Sequence, residues 1–125
     1  MKILLDTHIY LWWLIDAPEL SRATRKLIGD ADSIFVSVVS IWEAGIKWQT
    51  GKLPVSPAAL HENLEINDCN ALPVTMTHAL AAATLPSLHK DPFDRMLIAQ
   101  AITEPLHLVT TDRLLAEYSG LVKLV

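Results

Sequence analysis

The chain has 125 residues, 51% hydrophobic and 19% charged, which excludes a disordered protein and predicts one compact domain spanning residues 1–125. Its formal charge of −4 excludes a broad basic face of the kind that binds nucleic acid by counterion release. A single cysteine, Cys69, excludes an internal disulfide and cysteine-based zinc motifs and suits a reducing cytoplasm.

The apolar segment that follows Lys2 superficially resembles a signal peptide. Asp6 and His8 interrupt it, and no small-residue cleavage site follows. No uncharged run is long enough to cross a bilayer. The sequence therefore predicts a soluble, cytoplasmic protein without a membrane partner.

Short apolar runs alternate with segments of helical period along the rest of the chain. The predicted strands are KILL (2–5), SIFVS (33–37), LPV (72–74), HLVT (107–110) and LVKLV (121–125). The predicted helices are Thr7–Ile15, Ser21–Asp30, Val38–Gln49, Pro57–Ile66, Met76–Thr84, Pro92–Thr103 and Arg113–Tyr118. This alternation predicts a mostly parallel central sheet with helices on both faces.

Two aspartates lie at the carboxyl ends of predicted strands. Asp6 ends KILL and Asp112 ends HLVTTD, and open α/β sheets bind ligands at the carboxyl ends of their strands. Each aspartate also suits the N-cap of the helix that follows, and for Asp6 the two interpretations are evenly balanced. The accessory residues are Thr7, whose hydroxyl can orient a carboxylate, and Thr110 beside Asp112.

Glu43 has a similar ambiguity. It completes an S-x-x-E pattern with Ser40, which matches a capping box, yet a short apolar helix has little other reason to carry an acid unless its end faces a polar site. The sequence leaves these two interpretations open.

The segment DPFDR begins the sixth predicted helix. Pro92 suits the first helical position, and Asp91 is assigned mainly to the N-cap and to an ion pair with Arg95. Asp94 lies in the first turn, where its carboxylate can support the helix and also point off its N-terminus.

If these helix starts lie beside the two strand ends, the carboxylates of Asp6, Glu43, Asp94 and Asp112 converge. Such a cluster is electrostatically costly, and a hard divalent cation relieves the cost. With one cysteine and no ligand spacing among the five histidines, oxygen ligands favour Mg²⁺, with Mn²⁺ as the alternative, over zinc. A cation there would let an acidic protein hold a phosphodiester.

The motifs LLDTH, SIWEAGIK, HKDPFDRMLIAQA and VTTD, in this order and approximate spacing, resemble the PIN-domain ribonucleases, and among them the VapC-type toxins of toxin–antitoxin modules. The resemblance covers essentially the whole chain. It implies a PIN-like, Rossmann-like three-layer α/β/α sandwich and Mg-dependent cleavage of RNA. It also implies a homodimer and a cognate antitoxin that blocks the site.

Carried over by position, the resemblance makes Asp6, Glu43, Asp94 and Asp112 the catalytic acids. Asp6 and Asp94 become the direct metal ligands and Asp91 an accessory aspartate. Arg95, Arg113, Lys47 and Lys90 could contact RNA phosphates, although surface solvation is favoured for any single one.

Three other functions fit the sequence less well. A catalytically silent PIN-fold binding module is disfavoured because all four acids are retained. A receiver-like Mg-binding signalling domain is disfavoured because one acid, rather than a pair, follows the first strand, and LPVTM has no phosphoacceptor aspartate. A dehalogenase-like phosphatase needs an acid where His8 stands.

Overall fold

The computed structural model describes residues 1–125 as a five-stranded sheet with seven helices. The strands are β1 (Lys2–Leu5), β2 (Ser33–Ser37), β3 (Asn70–Leu72), β4 (His107–Thr110) and β5 (Val122–Leu124). The helices are α1 (Thr7–Leu14), α2 (Arg22–Gly29), α3 (Val38–Gln49), α4 (Pro57–Ile66), α5 (Met76–Thr84), α6 (Pro92–Thr103) and α7 (Arg113–Ala116). None of these helices combines the length and apolar character that crossing a bilayer requires.

The alternation of side chains along β1 divides the core into two layers. Ile3 and Leu5 pack into a cluster with buried residues of α1, α2 and α4, whereas Leu4 packs into a second cluster with α6 and α7. Successive strand residues point to opposite faces of a sheet, so an uninterrupted apolar strand needs helices on both sides. The predicted three-layer α/β/α sandwich is confirmed.

All four strand pairings are parallel, and the strand order is β3-β2-β1-β4-β5. The chain builds outward from β1 to β3 on one side and then crosses to place β4 and β5 on the other. The order therefore reverses between β1 and β4, which is the position where open α/β sheets form a ligand crevice. Asp6 lies at this crevice, and its backbone N–H donates to the carbonyl of Val109 over 3.0 Å.

Strands β1, β2 and β4 and four of the helices have the predicted bounds. The strand predicted over 72–74 is wrong, because β3 spans Asn70–Leu72. Asp68 turns the chain with a φ of 55°, so pairing starts earlier, and Pro73 has no N–H to extend the ladder. The last strand and three predicted helices are shorter than predicted, because Ser21, for example, is the N-cap of α2 rather than its first residue.

Candidate active site

Asp6 both caps α1 and faces the β4 end. Its Oδ1 accepts the Thr7 backbone N–H over 2.7 Å, and its Oδ2 accepts the Thr110 hydroxyl over 2.6 Å. The residue is only 7% exposed, and this burial raises its pKa, an effect that the hydrogen bonds from Thr110 and Thr7 partly offset. The two interpretations of Asp6 are therefore compatible: one oxygen caps the helix while the other is oriented by the neighbouring strand.

Glu43 does not form the capping box that was one of its two open interpretations. The N-cap of α3 is Ser37, whose side chain accepts the Val39 N–H, so Ser40 already lies inside the helix and the capping interpretation is wrong. Glu43 instead accepts the Thr7 hydroxyl at Oε1 over 2.7 Å. Its Oε2 lies 3.4 Å from Lys47 Nζ, one turn further along α3. Thr7 thus connects Glu43 to Asp6.

Asp91 is the N-cap of α6, as predicted, and accepts the N–H groups of Phe93 and Asp94. The predicted ion pair with Arg95 is wrong. The Arg95 guanidinium donates instead to the carbonyls of Ala82, Leu85, Pro86 and His89. Carbonyls of the end of α5 and of the connection to α6 thus occupy its donors in place of the half-buried Asp91 carboxylate. Lys90 and Arg113 are exposed, as surface solvation predicts.

Asp94 is the acid of the site whose pKa is raised close to neutrality. Its pKa is raised to about 7, first by burial and then by the negative charges of Asp6 and Asp91, with a smaller contribution from Glu43. His89 partly offsets this rise. Asp94 on α6 therefore lies within the electrostatic field of Asp6 after β1, although the two are far apart in sequence.

Sequence analysis missed His89, which joins the remaining acids. Its Nε2 lies 2.8 Å from Asp112 Oδ2 and 3.3 Å from Asp94 Oδ2. The other oxygen of Asp112 caps α7 through the Leu114 N–H. His89 has no second histidine at a metal-ligand spacing, so a search for such pairs does not find it. Its signal in the sequence is its position two residues before Asp91, the N-cap of α6.

The hydrogen bonds form one continuous network around the crevice. Thr110 donates to Asp6 and accepts the N–H of Asp112, which links the ends of β1 and β4. The structure thus brings together all four predicted acids, from Glu43 through Asp6 to Asp112 and Asp94. Thr7, Thr110 and Asp91 support them, whereas Arg95 acts on the loop behind them.

The donor set fits a hard divalent cation. Possible ligand atoms of His89, Asp94 and Asp112 lie within 4.8 Å of one another. The negative charge of the buried Asp6 is close enough to raise the pKa of Asp94. Among the lysines and arginines, Lys47 alone forms an ion pair with an acid of this network, and its partner is Glu43. Partly buried carboxylates that raise one another's pKa are stabilised by a nearby cation.

The crevice and its carboxylates define an α/β domain with an acidic site at the switch point of a parallel sheet. The sequence profile of the PIN domain matches residues 3–121. The chain therefore belongs to the PIN-domain family.

Similar proteins agree with this assignment. Ribonuclease VapC22 of Mycobacterium tuberculosis is 30% identical over 118 residues, which cover 93% of this chain and 91% of that protein. The FitAcB structure from Neisseria gonorrhoeae superposes with a TM-score of 0.70 at 18% identity, covering 98% of this chain and 96% of that one. The VapBC2 structure from Rickettsia felis, bound to a promoter DNA fragment, gives 0.68 at 16% identity and covers 100% and 98%. The two structures establish the shared fold.

Proposed function

We propose that this PIN-domain protein is a metal-dependent endoribonuclease and the toxin of a toxin–antitoxin module. Its similarity to a ribonuclease along nearly the whole chain supports the activity. The observation that carries the metal dependence is the placement of Asp6 and Asp94, two partly buried acids whose pKa values are both raised. Such a pair opposes folding unless it serves a cation, so it is retained for function.

We assign Asp6 and Asp94 as direct ligands of Mg²⁺, with Mn²⁺ as the alternative, and Glu43 and Asp112 as the other catalytic acids. Three of the four acids are held before substrate arrives. Asp6 is fixed by two hydrogen bonds, and Glu43 by Thr7 and Lys47. The side chain of Asp112 is fixed by Leu114 and by His89. Carboxylates held in place need little reorganisation when charge develops on the phosphate.

In this mechanism the crevice positions the RNA phosphodiester, and water adds to phosphorus as the bond to the leaving oxygen breaks. When bound by Asp6 and Asp94, a divalent cation would supply a lower pKa for water and would neutralise charge on the phosphate oxygens. The four acids keep the site negative enough to hold such a cation and orient the attacking water. The cation also explains how a chain of net charge −4 binds a polyanion.

Two other functions are less well supported. A silent PIN-fold binding module would have no reason to keep four acids in one hydrogen-bonded network. A receiver-like signalling domain is excluded by topology, because receiver domains order their strands 2-1-3-4-5 whereas this sheet has the order 3-2-1-4-5.

Exposed apolar stripes support protein partners, which we propose to be a second copy of the chain and a cognate antitoxin. Val38, Trp42 and Ile46 follow one another at four-residue spacing on α3, and Trp42 is 65% exposed. Met76 and Leu80 form a second stripe on α5. Large exposed apolar patches mark interaction sites. The similar Klebsiella pneumoniae structure is itself a toxin–antitoxin complex, with a TM-score of 0.69 at 15% identity.

Trp12 and Trp13 are adjacent and point about 100° apart on α1, so the sequence predicts that one core does not bury both fully and that one of them faces a dimer mate or an antitoxin. Both are half-buried and pack against the core cluster of β1 and α1. The more exposed tryptophans are Trp42 and Trp48 on α3. We therefore place the partner surface on α3 rather than on α1.

RNA cleavage before and after chelation tests the proposed function. We expect the purified chain to lose cleavage in excess chelator and to recover it when Mg²⁺ or Mn²⁺ is restored. Asp6→Asn should stay inactive with either metal, whereas Asp30→Asn, which removes an exposed charge just after α2, should behave as wild type. Cleavage that persists after thorough chelation would contradict the proposal.

A further inference from the structure

We propose that His89 is a positioning residue of the metal site that holds Asp112 through its Nε2–H and is not itself a metal ligand. The inference rests on the proposed function and gives a role to His89, which begins the motif HKDPFDRMLIAQA but was not among the predicted site residues. Geometrically, His89 belongs to the ligand-like cluster with Asp94 and Asp112, so the two roles must be separated by chemistry.

The backbone decides which ring nitrogen carries the proton. The N–H of Asp91 donates to His89 Nδ1 over 3.1 Å, so Nδ1 must be an unprotonated acceptor. In the neutral ring the proton then resides on Nε2. That N–H points at Asp112 Oδ2, 2.8 Å away, with Asp94 Oδ2 further off at 3.3 Å. A nitrogen that carries this proton has no lone pair to give to a cation.

The backbone of His89 is fixed as firmly as its ring. Its N–H donates to the Tyr118 hydroxyl over 2.8 Å, and its carbonyl accepts from Arg95. The Tyr118 hydroxyl in turn donates to the carbonyl of Pro86. Two long side chains, Arg95 on α6 and Tyr118 just after α7, thus hold the backbone at His89. The imidazole cannot turn to offer a different nitrogen without breaking its hydrogen bonds to Asp91 and Asp112.

This arrangement explains two properties of the site. The Nε2–H orients the Asp112 carboxylate while its other oxygen caps α7, which sets the carboxylate plane relative to Asp94. It also leaves oxygen as the only ligand type in the cluster, which favours Mg²⁺ or Mn²⁺ over metals that prefer imidazole. Outer hydrogen-bond partners of this kind tune metal affinity by about 10–100-fold.

Nitrogen NMR of the imidazole tests the tautomer directly. In chelated wild-type protein we expect long-range ¹⁵N–¹H correlations to show His89 protonated at Nε2, and the same pattern after Mg²⁺ is added. A proton on Nδ1, or loss of the Nε2 proton on adding Mg²⁺, would overturn the inference. The chelated sample needs no metal binding or RNA cleavage, so this result is separate from the fate of the proposed function.

Two substitutions then test the role. In His89→Gln the amide nitrogen can take the place of Nε2 and donate to Asp112, whereas in His89→Asn the shorter side chain can accept from Asp91 but cannot reach Asp112. We expect calorimetry to show Mg²⁺ binding weakened by about 10–100-fold in His89→Asn and largely restored in His89→Gln, with similar circular dichroism in both. Equal Mg²⁺ affinity in His89→Asn and wild type, or no recovery of affinity in His89→Gln, would overturn the inference. A wild-type protein that does not cleave RNA would instead overturn the proposed function.

Discussion

Asp94→Asn is expected to make the metal-free protein more stable while it abolishes activity. Asparagine keeps the size of the side chain but removes a carboxylate whose pKa is raised to about 7 from 3.8. A folded-state pKa above the unfolded value means that the ionised group opposes folding. The penalty is absent below about pH 4, grows as the pH rises toward 7, and is constant above that.

The size of the effect follows from the shift. A rise of about three pH units corresponds to roughly 4 kcal/mol at about 1.4 kcal/mol per unit, which is a ceiling. The Asp94 side chain is 19% exposed, so solvent screens part of the penalty. Its charge also favours the N-terminus of α6 by about 0.3–1 kcal/mol, which asparagine loses. We expect a net gain of about 1–2 kcal/mol, or roughly 3–10 °C in melting temperature for a domain of this size.

Thermal melts in chelator between pH 4 and 8, followed by melts with Mg²⁺, measure this prediction. The advantage of Asp94→Asn over wild type should be small at pH 4 and largest above pH 7. Added Mg²⁺ should raise the melting temperature of the wild type but not that of the variant, because only a protein that binds the ligand gains stability from it. RNA cleavage should fall by more than about 100-fold, beyond the usual loss for an outer partner.

Asp91→Asn is the matched control, because asparagine caps a helix as well as aspartate does and the change also removes one charge beside Asp94. It should gain less stability and retain more cleavage than Asp94→Asn. An Asp94→Asn protein that is no more stable than wild type at pH 8, or equally stabilised at pH 4 and pH 8, would refute the electrostatic reasoning. Equal loss of cleavage in both variants would show that Asp91 is more than a cap.

Three further variants test the supporting contacts. Thr110→Val removes the hydroxyl bond to Asp6 and should lower Mg²⁺-dependent cleavage by about 10–100-fold; Thr110→Ser should keep most of it, and unchanged cleavage in the valine variant would argue against this role. Arg95→Lys cannot reproduce the four carbonyl contacts and should cost about 2–3 kcal/mol in urea unfolding, whereas a change typical of an exposed residue would contradict it. Trp42→Ala should weaken self-association in sedimentation more than it lowers the melting temperature, whereas Trp12→Ala, which removes a half-buried side chain packed against the core, should do the reverse; unaltered association in Trp42→Ala would remove the α3 stripe as an interface.

The layered fold was predictable because its signals are local and agree with one another. The strand KILL is apolar and buried at three successive positions, Ile3, Leu4 and Leu5, which only a sheet covered on both faces can use. The bounds of α3 and α6 follow from helical period and from caps such as Asp91. The misplaced third strand shows the limit: hydropathy favoured Leu72–Val74, but the turn at Asp68 and the proline at 73 determine which residues can pair.

The site was only partly predictable, because its contacts join segments that are distant in sequence. Their positions at a strand end and a helix start were enough to select Asp6 and Asp94 as candidate site acids. It could not show that Glu43 bonds to Thr7, 36 residues away, or that His89 lies against Asp112, 23 residues away. Arg95 was misread for the same reason, since local spacing suggested Asp91 while the fold supplied carbonyls from the end of α5 and the loop that follows it.

Locating a bound cation tests the central assignment most directly. Crystals grown with Mn²⁺ should show an anomalous scattering peak at the crevice between β1 and β4, with one carboxylate oxygen of Asp6 and one of Asp94 at about 2.0–2.2 Å, near the distance typical of small hard cations, and with no ligand from His89. A peak held by His89 and Asp112 without Asp6, or none at the crevice in protein that cleaves RNA, would contradict the account.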